Sequence, residues 1–221
     1  MPYYIRQDEL KEKIISDVDL ELNDLDWIAG CDVGYSEETD QMVGAIVVFD
    51  AKTMKTVESA THQMKISFPY IPGLFSYREI PPILHAFEKL KIRPDLIVCD
   101  AHGISHPRGI GMASHLGVML DIPTIGCAKK RLIGAYDKSA LKVEKGHSVP
   151  LRWNSRDVGA VLRSRADVKP VFVSIGHKIN LESSIAIILE LCQKYRLPET
   201  TRHADRLVNQ ILKSRTGIED I

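Results

Sequence analysis

The chain has 221 residues, 44% hydrophobic and 26% charged, with 29 basic and 29 acidic side chains giving a formal charge of 0. That length and apolar content suit one domain with a substantial core, expected over 1–221, and exclude a disordered or fibrous chain. The neutral balance excludes a polycationic coat, so any nucleic-acid contact has to come from a local basic patch.

The four cysteines, Cys31, Cys99, Cys127 and Cys192, are widely separated and form no CxxC pair. They read as reduced core residues, not as a disulfide framework or a zinc site. Met1 to Leu10 mixes tyrosines with charges, and no apolar run reaches membrane-spanning length. A cytoplasmic protein without membrane contact is expected.

In chain order, the apolar residues Leu10, Ile14, Ile15 and Val18 predict an amphipathic helix over Asp8 to Leu20. Trp27 to Gly34 and Met42 to Phe49 are apolar runs separated by the polar stretch Tyr35 to Gln41, and Lys55 to Ile66 reads as a third strand. Three strands on short loops make an antiparallel meander, with Asp32 inside the first. A carboxylate in an apolar strand costs several kcal/mol unless it is paired or metal-bound, so Asp32 is the first residue with a claim to chemistry. The plainer reading is a strand-end aspartate bonded to its own loop.

Phe68 to Ser76 holds two prolines, a glycine and an aromatic residue that looks exposed, which is too stiff for a helix and too proline-rich for a central strand. Such a loop suits insertion between bases, although it is more commonly a packed turn. Tyr77 to Lys91 turns helical, with Pro81 and Pro82 expected in its first turn and Glu79 at its start. Asp95 to Cys99 is a fourth strand, entering the polar loop Asp100-Ala-His-Gly-Ile-Ser-His-Pro-Arg108. Gly109 to Leu120 is a small-residue helix, and Pro123 to Cys127 a fifth strand ending at Lys129-Lys130-Arg131. Tyr136 to Asn154 reads as an irregular surface insertion. Val158 to Leu162 and Pro170 to Ser174 read as strands, with a turn over Ser174 to His177, and Leu181 to Tyr195 and Thr200 to Leu212 as helices.

A strand returning through a helix after the meander pairs most economically with the first strand, which sets Asp32 beside Asp100. Two adjacent carboxylates repel unless a cation lies between them, and oxygen donors favour Mg2+ or Mn2+ over zinc. Glu79 and Asp205 extend the acidic set. Such a set serves metal-assisted phosphodiester hydrolysis, in which the ion activates water and neutralises the phosphate.

The segments Ile28-Ala-Gly-Cys-Asp-Val-Gly34, Phe68-Pro-Tyr-Ile-Pro-Gly-Leu74, Tyr77-Arg-Glu79, Asp100 to Arg108, Gly111-Met-Ala-Ser-His115, Ile122-Pro-Thr-Ile-Gly126 and Ala128-Lys-Lys-Arg-Leu132 resemble endonuclease V, in that order. The likeness continues through Pro198-Glu-Thr-Thr-Arg-His-Ala-Asp205. It implies an α/β fold of RNase H-like type, a mixed sheet of an antiparallel meander plus parallel strands, flanked by helices. It also implies a Mg2+-dependent DNA repair endonuclease, with Mn2+ as substitute, that nicks at the second phosphodiester bond 3′ to deoxyinosine and leaves 3′-hydroxyl and 5′-phosphate ends. By the same resemblance Asp32 and Asp100 are metal ligands, and Glu79 acts directly or through metal-bound water. Asp205 stands where the family carries an acid or histidine, Lys129 stabilises phosphate charge, and His106 lies near the scissile phosphate. Pro69, Tyr70, Ile71 and Pro72 form a strand-separating wedge, while Gly73, Leu74, Gly103, Ile104 and Gly111 line the pocket for the flipped base. Ala101 replaces a glycine common in the family, and His203 is a second candidate beside Asp205.

The implied partner is DNA containing deoxyinosine, bound by a monomer, with inosine-containing RNA as an alternative substrate. A non-catalytic nucleic-acid-binding domain is disfavoured because all the matched acids are present. A small-molecule phosphotransferase is disfavoured because no glycine-rich phosphate loop is found.

Overall fold

A computed structural model describes residues 2–36 and 39–216. Glu37 and Glu38, inside the predicted hairpin loop, lie outside the described residues. The strands are β1 (Trp27–Ser36), β2 (Gln41–Asp50), β3 (Thr56–Lys65), β4 (Leu96–Cys99), β5 (Thr124–Ala128), β6 (Ser148–Trp153), β7 (Arg156–Leu162) and β8 (Val171–His177). The helices are α1 (Pro2–Lys11), α2 (Phe75–Glu88), α3 (Met112–Leu120), α4 (Leu181–Leu191) and α5 (Glu199–Thr216).

The eight strands among the described residues join one sheet in the order β3-β2-β1-β4-β5-β8-β7-β6. The meander β1-β2-β3 is antiparallel, β4 and β5 run parallel to β1, and β8, β7 and β6 return antiparallel. The expected mixed sheet with flanking helices is what the chain forms.

The central strands are apolar on both faces because helices cover both. One core gathers Ala29, Cys31, Ile46, Val48, Ile97 and Cys99 beneath Ile80, Ile83 and Phe87 of α2 and Ala113 and Leu116 of α3. The other gathers Ile28, Val47, Phe49, Val98 and Ile125 beneath Ile187, Ile188 and Leu191 of α4 and Ala204 of α5. Neighbours in sequence alternate between the two cores, as the pleat requires. All four cysteines are buried and free, as expected.

Helix α5 approaches β1 at Gly30, where an added Cβ would stand 2.2 Å from the Thr200 backbone. Gly30→Ala is therefore expected to push α5 off the sheet and to destabilise the protein by about 1–3 kcal/mol, measured by denaturant unfolding. Unchanged stability would contradict that packing.

Several local expectations are corrected. Helix α1 ends at Lys11, so of the helix predicted over Asp8 to Leu20 only Asp8 to Lys11 is helical, and the later residues run extended along β8 and α4. Lys178 N–H donates to the Ile15 carbonyl, Asn180 N–H to the Val18 carbonyl, and Leu20 N–H to Ser183 Oγ. These long-range bonds occupy the backbone groups a helix would have used, so tertiary contacts override the helical spacing.

Helix α2 begins at Phe75, which places Pro81 and Pro82 in its interior and Glu79 in its second turn, not at its start. The early start follows from the turn at Gly73, whose φ of +82° a glycine accepts, with Leu74 N–H closing onto the Ile71 carbonyl. The predicted insertion at Tyr136 to Asn154 contains a real edge strand, β6, in which Val149 and Leu151 point inward and Pro150 outward. Proline is tolerated there because a sheet edge need not donate on its free side. The predicted turn at Ser174 to His177 is instead the end of β8, buried throughout.

Candidate active site

Parallel pairing of β1 with β4 aligns Cys31 with Cys99, so the next residues, Asp32 and Asp100, lie side by side where β4 ends. The sheet pleat turns both toward α5, because Gly30 and Val98, two residues earlier, face that layer. Asp100, Lys129, Thr201, Arg202, Asp205, Arg206 and Asn209 line one cleft of about 330 Å3. The spacing 202, 205, 206, 209 is one face of α5. That spacing was readable in the sequence, yet Arg206 and Asn209 were given no place in the site.

The electrostatics follow from this crowding. Burial, then the charges of Asp100 and Asp205, raise the Asp32 carboxyl to about 7, against a smaller opposing effect of Lys129. Lys129 Nζ stands 2.5 Å from Asp100 Oδ2, and Asp100 is only 10% exposed. Burial works against the lysine charge, but the hydrogen bond that Lys129 donates to Asp100 and the charges of Asp100, Asp205 and Asp32 outweigh it and raise its pKa.

Glu79 comes from the opposite layer. It is buried in α2 and accepts a hydrogen bond of 3.0 Å from the Tyr35 hydroxyl, whose ring lies under the Arg78 guanidinium at 4.8 Å. Burial raises its carboxyl to about 8; the Tyr35 bond opposes this, while Asp32 and Asp100 add to it. Among the described residues, no three His, Cys, Asp or Glu side chains converge closely enough to hold a metal ion as they stand. Asp205 and Glu79 approach from opposite faces of the sheet, and the Lys129 ammonium sits against Asp100.

Between His203 and Asp205, the cleft receives Asp205. The His203 ring packs 5.2 Å from Phe49, with Nε2 4.0 Å from Glu199. His106 lies in a different cleft, lined also by Ile104, Arg108, Trp153 and Arg156. Burial, with help from His102 and Arg108, lowers its pKa to about 4, so it is neutral at pH 7 and accepts a hydrogen bond from Arg108 N–H.

The loop carrying it lies tight on the sheet. A Cβ on Gly103 would meet the Ile175 carbonyl at 1.9 Å, and one on Gly126 would meet Gly103 N at 2.5 Å. Gly103 N–H donates to Ser174 Oγ, Ile104 N–H to the Ile175 carbonyl and Gly111 N–H to the Gly103 carbonyl. These three donors are thus engaged inside the protein. Gly73 and Leu74 lie on the other loop, next to Pro69 to Pro72, where Tyr70 is 68% exposed and meets the Phe75 ring edge-on at 5.9 Å.

The model of the endonuclease V family matches residues 8–206. An endonuclease V from Rippkaea orientalis is 46% identical over 203 residues, covering 92% of this chain and 87% of that protein. The crystal structure of endonuclease V from Streptomyces avermitilis superposes with a TM-score of 0.91 at 43% identity, covering 98% of this chain and 94% of that one. Endonuclease V from Ciona intestinalis, in complex with a 24mer DNA containing an inosine followed by a ribo-adenosine, superposes with a TM-score of 0.84 at 31% identity, covering 97% and 98%. The RNase H-like sheet, the paired aspartates at its centre and a match over nearly the whole chain lead to one conclusion: this protein belongs to the endonuclease V family.

Proposed function

We propose that this protein is a divalent-metal-dependent endonuclease that nicks DNA at the second phosphodiester bond 3′ to deoxyinosine, leaving 3′-hydroxyl and 5′-phosphate ends, as a step in DNA repair. The observation that carries this reading is the pair Asp32 and Asp100 on adjacent parallel strands, with Lys129 bonded to Asp100. The inosine-containing DNA held by the Ciona relative supports the substrate.

The donor set fits a hard cation. It consists of carboxylate oxygens, and Asp32 is strained by burial and by neighbouring negative charge that a cation would relieve. Asp32 and Asp100 would hold Mg2+ or Mn2+, with Glu79 acting directly or through bound water and Asp205 completing the acidic wall. The bound ion supplies a water of lowered pKa and positive charge for the phosphate. Lys129 keeps its proton and brings a second positive charge to the same place. Arg206, on the cleft wall, extends that field toward the flanking phosphates, while Arg202 beside it is paired with Glu199 at 2.7 Å. Tyr35 holds the Glu79 carboxyl in orientation.

In this reading Tyr70, on the stiff tip Pro69 to Pro72, fills the gap left by the displaced base. Gly73, Leu74, Gly103, Ile104 and Gly111 wall the pocket, and His106 serves the scissile phosphate from its own cleft. The test is a duplex with one deoxyinosine and Mg2+, with product ends mapped. A single nick one nucleotide beyond the lesion is expected, while intact substrate or equal cutting of an undamaged duplex would overturn the assignment.

A second reading, cleavage of inosine-containing RNA, draws on the ribo-adenosine after the inosine in the Ciona complexes. Matched DNA and RNA substrates competing in one reaction separate the two, since preferential loss of the RNA assigns the ribose-dependent activity.

A further inference from the structure

Helix α1 lies outside the acidic cleft, yet it grips both loops assigned to the substrate. On the wedge side, Gln7 Nε2 donates to the Gly73 carbonyl at 2.8 Å. Tyr3 packs edge-on against Phe68 and Tyr77 at 5.1 and 5.0 Å, and its carbonyl accepts from the Tyr77 hydroxyl. On the other side, Arg108 donates to the Tyr4 carbonyl and the Asp8 carboxylate and lies 5.0 Å over the Tyr4 ring.

Gln7 is the unusual member of this set. It is 0% exposed, and its Oε1 is buried with no hydrogen-bond partner among the described residues. Burying an amide to make one bond and orphan one acceptor is a poor route to stability, since an apolar side chain of the same length would fill the space without that penalty. Its one bond lands where the chain takes a left-handed turn, φ +82° at Gly73, between the proline-stiffened tip and α2. Fixing that carbonyl fixes the direction in which Tyr70 projects.

We propose that Gln7 is a positioning residue for strand separation: by holding the Gly73 carbonyl to α1, it sets the Tyr70 tip relative to the Asp100-to-Gly111 loop, which α1 grips through Arg108. This rests on the wedge reading given above. Gln7 then matters where base pairs have to be opened, and not for hydrolysis at the acids. A single-stranded substrate has nothing to wedge apart.

The test measures kcat and KM on duplex and single-stranded oligonucleotides carrying one deoxyinosine, for wild type, Gln7→Met, Tyr70→Ala and the double variant. Gln7→Met is expected to lower kcat/KM on the duplex by about 5-fold, the value of one neutral hydrogen bond, through KM. On the single strand, which still uses the Gly73 wall of the base pocket but has no pairs to part, the loss should be smaller, about 2-fold, and in the Tyr70→Ala background Gln7→Met should cost the duplex no more than that same 2-fold. Gln7→Leu carries the same test should Gln7→Met melt early. Equal losses on both substrates, no loss on the duplex, or an additive double variant overturns the role of Gln7. Tyr70→Ala without duplex selectivity overturns the wedge itself, and the inference with it.

Discussion

Asp100→Asn is expected to fold as the wild type does and to lose at least about 10^3-fold in cleavage rate, the consequence of removing several kcal/mol of charge stabilisation in the transition state. The fold should survive because the substitution keeps size and polarity and removes a negative charge that burdens Asp32. Lys129 loses its partner, but at 44% exposure its ammonium is solvated. Asp32→Asn should behave alike, since the two carboxylates stand on adjacent strands facing the same helix. Gel assays at saturating Mg2+, paired with thermal melts, read both quantities. A variant with normal melting and cleavage within about 10-fold of wild type would remove that residue from the reaction.

The protein without metal is expected to lose stability as pH rises from about 6.5 to about 8.5, above the range in which buried histidines such as His106 and His115 act in the opposite sense. Asp32 and Glu79 have native pKa values of about 7 and about 8, above their ordinary 3.8 and 4.5. Between about pH 4 and 8 these two groups therefore keep protons that the unfolded chain has released, and their contribution to stability falls as pH rises, unopposed once the histidines are neutral in both states. The combined effect is on the order of a few kcal/mol, fully present below the unfolded values and lost above the native ones. Asp32→Asn and Glu79→Gln should each flatten the slope. Because ligand carboxylates bind an ion only when deprotonated, added Mg2+ should stabilise the protein more at pH 8 than at pH 5. Denaturant unfolding at about pH 6.5 and about pH 8.5 decides it, and a wild-type stability that rises across that window would contradict the buried, mutually repelling acids.

The centre of the sheet was legible because its strands are long apolar runs and only one crossover brings β4 home. Asp32 beside Asp100 follows from that crossover and needs no side-chain detail. The choice of Asp205 over His203 was not legible, since the two differ by about 200° around a helix and only the docking of α5 on Gly30 and Phe49 selects between them. The residues after α1 misled because Ile14, Ile15 and Val18 have helical spacing, while the Ile15 and Val18 carbonyls are claimed by Lys178 and Asn180, more than 160 positions away. β6 was hidden by its polar outer face: Pro150 and Arg152 are exposed while Val149 and Leu151 are buried. The separation of His106 from the acids arises from the close seating of its loop on Gly126 and β8, a contact no local pattern announces.

The central claim is that Asp32 and Asp100 form the site of a catalytic divalent cation. Electron paramagnetic resonance of Mn2+ titrated into wild type and into Asp100→Asn at pH 8 tests it most directly. Wild type is predicted to take up Mn2+ that added Mg2+ displaces, and Asp100→Asn to leave it free in solution. Equal uptake by both proteins would contradict the claim.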